Sequence, residues 1–208
     1  MGRHEFDLRF GLRAGLPEGL FAGSRVQTPQ GWRLVESLAP GDVVSTHNGP
    51  QAVFSVTEEL RPAQWSILIP PGALDNRLAV MLPPGQTLMV RSTYAVPYCG
   101  APAALVPAQA LEGWRGISLH VPAHTEPALR LMFLRPQIVP AGPGLMIGCA
   151  GADPASTNIH SLLSEPLAPM SLSLAAARQL LACVIAEETG SGLQGQAADL
   201  RAPPENRA

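Results

Sequence analysis

The stretch Gly19-Leu20-Phe21-Ala22-Gly23-Ser24-Arg25-Val26-Gln27-Thr28-Pro29-Gln30-Gly31-Trp32-Arg33-Leu34-Val35 decides the fold class. Ser24 to Thr28 alternates polar and apolar residues, Pro29-Gln30-Gly31 breaks the alternation, and Trp32 to Val35 resumes it. That pattern predicts a β-hairpin. Downstream, Ala39-Pro40-Gly41-Asp42 puts Pro and Gly at the two central positions of a type II turn, because Pro presets φ and Gly tolerates positive φ. Val43–Thr46 reads as the next strand, and Asn48-Gly49 as a tight connection into Gln51–Val56.

The same grammar continues to residue 139. Strands are predicted at Trp65–Ile69, Leu78–Leu82, Leu88–Ser92, Ala104–Val106, Ile117–Val121, Leu129–Leu134 and Gln137–Val139. Prolines bracket them, where a missing N–H does least harm to a ladder. Residues 142–171 read as a Gly/Ala/Pro/Ser-rich connection. Ser173 then caps a helix to about Glu188, with Leu174, Ala177, Leu181 and Val184 on one face and Gly190 as its stop. The expected organisation is an N-terminal tail at 1–18, a β domain at 19–150, a connection and helix at 151–190, and a disordered tail at 191–208.

Composition narrows the function classes. The chain has 208 residues and a net charge of −2, without the basic surplus that nucleic acid binding requires. All 14 positive residues are Arg, so Schiff-base chemistry, a P-loop lysine and a Ser-Lys dyad are excluded. Apolar runs stop short of the ~18–20 residues of a membrane helix, and Met1–Gly19 lacks the basic start and apolar block of a signal peptide. A cytoplasmic protein with no membrane contact is expected. Cys99, Cys149 and Cys183 form no CxxC pair and are odd in number, which disfavours a zinc knuckle or a disulfide framework.

Gly19–Thr28, followed by Gly31, Val35-Glu36, Leu38, Gly41-Asp42, Val44, Thr46 and Gly49-Pro50, resembles the start of a Hint domain, the module shared by Hedgehog proteins and inteins. Pro70–Leu74 is similar to a linking segment of the bacterial, single-domain branch of that family. Pro84–Ser92 resembles its second motif, Leu105–Leu111 its Leu-Val-Pro-Ala-Lys-x-Leu signature, and Arg130–Val139 its late strand pair. The resemblance implies an all-β, curved arrangement of short antiparallel strands, here followed by one α-helix.

It also implies where the chemistry would lie. In the family a Cys or Ser at the first position attacks the preceding peptide carbonyl; Gly19 stands there and offers no nucleophile. The second motif carries a His that protonates the departing amide nitrogen; Gln86 stands there, and an amide delivers no proton near neutral pH. Further histidines of the late strand pair correspond to Arg130 and Pro136. The resemblance therefore implies a catalytically inactive Hint-like domain, a structural or protein-interaction module without a cofactor. The alternative is an autoprocessing domain that self-cleaves or splices through a relocated nucleophile, Cys149 or Ser24.

Other constellations are weaker. His120 and His124 are interrupted by Pro122 and lack a third ligand nearby, so no metal site is predicted. Glu58-Glu59 and Glu187-Glu188 read as solvated faces, since Glu is seldom buried unless paired. Trp32, Trp65 and Trp114 read as core or rim packing. No residue pattern names a partner or an oligomeric state.

Overall fold

A computed structural model describes residues 16–59, 63–121, 127–152 and 171–199, the last nine of them by backbone alone. Its strands are β1 (Leu20–Phe21), β2 (Arg25–Thr28), β3 (Gly31–Leu34), β4 (Val43–Thr46), β5 (Gly49–Ala52), β6 (Ser55–Glu58) and β7 (Ser66–Ile69). There follow β8 (Val80–Leu82), β9 (Thr87–Arg91), a short helix α1 (Val96–Cys99), β10 (Ala103–Pro107), β11 (Ser118–His120), β12 (Ala128–Phe133), β13 (Gln137–Pro140), β14 (Met146–Gly151) and helix α2 (Leu174–Asp199).

Both early hairpins use one device. The Thr28 hydroxyl donates to the Gly31 carbonyl at 2.8 Å and accepts the Gln30 N–H at 3.3 Å; Thr46 does the same with Gly49 at 2.7 Å and Asn48 at 3.2 Å. The ladders close at Thr28↔Gly31 and Thr46↔Gly49. The second loop is therefore His47-Asn48, one residue earlier than the Asn48-Gly49 connection expected. Ala39–Asp42 forms the predicted turn, with the Asp42 N–H on the Ala39 carbonyl at 3.1 Å and Gly41 at φ +92°. The Asp42 carboxylate closes it further by accepting the Ala39 N–H at 2.9 Å and facing Arg33 at 3.2 Å.

The main sheet runs β1-β12-β14-β9-β10, with β6 on β12 and β13 on β14; β11-β7-β8 forms a second sheet, and the two hairpins complete the shell. Three expectations need correction. Residues 146–151, read as part of an irregular connection, form β14, which pairs with β9, β12 and β13 in the main sheet. Its two glycines and Ala150 hide it as a strand in sequence, yet the glycines let neighbours approach: a Cβ on Gly148 would lie 2.5 Å from the Thr87 hydroxyl. Second, β12 and β14 run parallel, so the strands are not all antiparallel. Third, Gly190 does not stop α2, which continues to Asp199. Of the tail expected at 191–208, residues 200–208 lie outside the described residues, as do 1–15 of the N-terminal one.

The core gathers Leu20, Val26, Ile67, Leu88, Phe133 and Ile147 from the strands and Ala177, Leu180 and Leu181 from α2. Helical spacing explains why α2 docks along this stripe, and each buried Leu contributes on the order of 1.5–3 kcal/mol. Ser173 caps the helix as expected, accepting the Ala176 N–H at 3.3 Å. At its other side Glu188 accepts the Trp114 indole N–H at 3.0 Å and an Arg115 guanidinium N–H at 2.6 Å. Glu188 is exposed, as expected of a solvated face, and it also ties the helix to the turn that carries Trp114 and Arg115. Trp114 is buried, while Trp32 sits half-exposed at the rim. Among the described residues no helix is long and apolar enough to cross a membrane.

Candidate functional site

Three of the four positions singled out in sequence meet in space. Gly19 precedes β1, Gln86 precedes β9, and Arg130 lies in β12. With Glu18, Gly148 and Cys149 they line one small cavity of about 20 Å³, room for about one water molecule. Long-range pairing builds it: β1 pairs with β12 at Leu20↔Leu129, and β14 meets β9 at Ile147↔Leu88.

Gln86 is buried and fully engaged. Its amide oxygen accepts the Gly19 N–H at 2.9 Å, and its amide nitrogen donates to the Gly148 carbonyl at 2.8 Å and the Thr87 carbonyl at 3.0 Å. Those partners use both ends of the amide to join the start of the domain to β9 and β14. An amide so held positions backbone and transfers no proton.

Gly19 also has a backbone role. Its φ is +120°, and a Cβ built on it would lie 2.7 Å from the Leu129 carbonyl oxygen. The backbone there occupies a conformation that only glycine adopts without strain, and β12 fills the space a side chain would need.

Arg130 reaches Glu18 at 3.5 Å and Glu59 at 3.7 Å. Glu59 is buried, with 7% of its surface exposed, contrary to the solvated face expected for Glu58-Glu59. A permanent cation at Arg130 compensates it, which an imidazole would do only when protonated. Glu18 and Glu59 are the site residues that sequence reading missed. Neither stands in a motif; only the fold shows that each faces Arg130.

Cys149 is enclosed at the thiol although the residue as a whole keeps some exposure. Burial, aided by the Glu18 charge, pushes its pKa up to about 12. A thiol needs positive or basic company to become a nucleophile, and this one has the reverse. Pro136 is not brought to the cavity: it lies in the exposed turn between β12 and β13, with its ring against Gly151. Ser24 is also elsewhere, at a groove on the other side of Leu20, with its N–H on the Phe21 carbonyl at 3.1 Å. Among the described histidines, His47 and His120 are exposed and neither lines the cavity; His124 lies outside the described residues.

A model of the Hint domain matches residues 19–144, beginning on the glycine that opens the cavity. The chain belongs to the Hint domain family. Solved structures similar to this Hint domain include the bacterial intein-like domain from Clostridium thermocellum, at 12% identity over 62% of this chain and 97% of that one, with a TM-score of 0.47. The AceL NrdHF class 3 split intein, solved as a splice-inactive variant, is similar at 11% identity over 65% of this chain and 99% of that one, with a TM-score of 0.46. No curated protein matches the chain.

Proposed function

We propose that this Hint domain is catalytically inactive and serves as a structural or protein-interaction module. The hydrogen bond from the Gly19 N–H to the Gln86 amide oxygen, 2.9 Å long, carries this reading. Where the family resemblance implies a nucleophile beside a proton donor, two inert groups are bonded to each other. Arg130, held between Glu18 and Glu59, is a poor acid at the third position.

The alternative, self-cleavage through a relocated nucleophile, draws on the presence of Cys149 in the same cavity. Its raised pKa opposes it: at about 12 only a minute fraction of the thiol is ionised at neutral pH. Ser24 lines a different groove. The test is incubation of the full chain with dithiothreitol or hydroxylamine, followed by intact mass. The mass is expected to stay constant; a time-dependent fragment starting at Gly19 would overturn the reading.

A further inference from the structure

Among the described residues β8 pairs only with β7, and beside it lies a groove of about 550 Å³ lined by Leu20, Phe21, Leu78, Val80 and Met81. Leu78 is 65% exposed and Met81 39%. A free strand edge next to apolar side chains is a template for strand addition, in which main-chain hydrogen bonds bind and alternate side chains fill the groove.

The chain carries a segment of matching pattern. Glu5-Phe6-Asp7-Leu8-Arg9-Phe10-Gly11-Leu12 alternates strictly, with Phe6, Leu8, Phe10 and Leu12 on one face of an extended strand and the charges on the other. It lies outside the described residues, but its attachment point is fixed. The Pro17 carbonyl accepts the Gly85 N–H at 2.9 Å, and a Cβ on Gly85 would lie 2.6 Å from the Leu16 carbonyl oxygen. Gly85 follows closely on Leu82, the last residue of β8. Leu16, the first described residue, therefore sits close to the end of β8, and four residues from Leu12 to Leu16 span at most about 13 Å. A tether this short holds the segment at an effective concentration on the order of millimolar.

We propose that Glu5–Leu12 adds to the outer edge of β8 as a parallel strand and turns its apolar face onto the groove. The direction follows from the attachment, because both strands then run toward Gly85. The groove's occupant is thus the chain's own N-terminal segment, which caps the exposed edge. Loss or retention of self-cleavage does not bear on this.

Amide hydrogen exchange on the full chain tests it, with Phe6→Asp, Leu8→Asp and Phe10→Asp combined in one variant. Far-UV circular dichroism matching the parent is the folding control for the variant. The amides of Ala79–Leu82 are expected to exchange about tenfold or more faster in the variant, while those of Leu88–Val90 stay unchanged. Met81→Asp, made from the groove side, should give the same acceleration. Equal exchange in parent and triple variant would overturn the proposal. So would protection that rises with protein concentration, which would assign the edge to a second copy of the chain.

Discussion

The Gly19 N–H and the Gln86 amide oxygen, 67 residues apart in sequence, share a buried hydrogen bond of 2.9 Å. It joins the first residue of the family match to the second motif.

Gln86→Leu keeps the volume but removes the amide. The Gly19 N–H and the Gly148 carbonyl are then left without their present partner at a buried site. A loss of about 2–3 kcal/mol is expected in urea unfolding at constant m-value. A change below about 0.5 kcal/mol would mean that solvent replaces the amide.

Gly19→Ala is expected to cost about 2 kcal/mol or more, from positive φ and from contact with the Leu129 carbonyl. The same crowding applies to Gly19→Cys. Installing the thiol alone should therefore give a destabilised protein whose intact mass does not change in hydroxylamine.

The Cys149 thiol, with its pKa pushed up to about 12, should resist iodoacetamide in the native protein at pH 8 and react fully in denaturant. Exposed Cys183 should react in both. The linkage sign is also fixed. Above the ordinary thiol value of 9.0 the unfolded chain loses this proton while the folded chain keeps it up to about 12, so folding stability falls with pH in that window. Unfolding of Cys149→Ala should show a shallower decline between pH 9 and 11.

Glu188 is held below the usual carboxylate range first by the Trp114 hydrogen bond and then by Arg115. Its contribution is present above the ordinary value of 4.5 and is lost as pH falls through the lower folded value. Because the group is largely solvated, Glu188→Gln should cost under about 1 kcal/mol at pH 7, and the cost should vanish in acid. Thermal unfolding at both pH values checks this.

Legibility in the sequence tracked how local each feature is. The Thr28 and Thr46 hairpins, the Ala39–Asp42 turn and the Ser173 cap are closed by residues within three or four positions of one another, and their signals stand in the sequence. β14 was not legible. Met146–Gly151 carries glycines and alanine where a strand would show branched residues, and it is a strand because β13, β9 and β12 surround it. The end of α2 was misread at Gly190, since a single glycine costs a helix only about 1 kcal/mol.

The residue types at 19, 86 and 130 were fixed by the sequence alone, and with them the absence of a nucleophile and a proton donor at those positions. Only the tertiary structure decided that these three share a cavity with Cys149, that Pro136 does not, and that Glu59 is buried against Arg130. The reason is physical: a side chain's functional groups are set by its covalent chemistry. Its pKa, burial and partners are set by strands that come from distant parts of the chain.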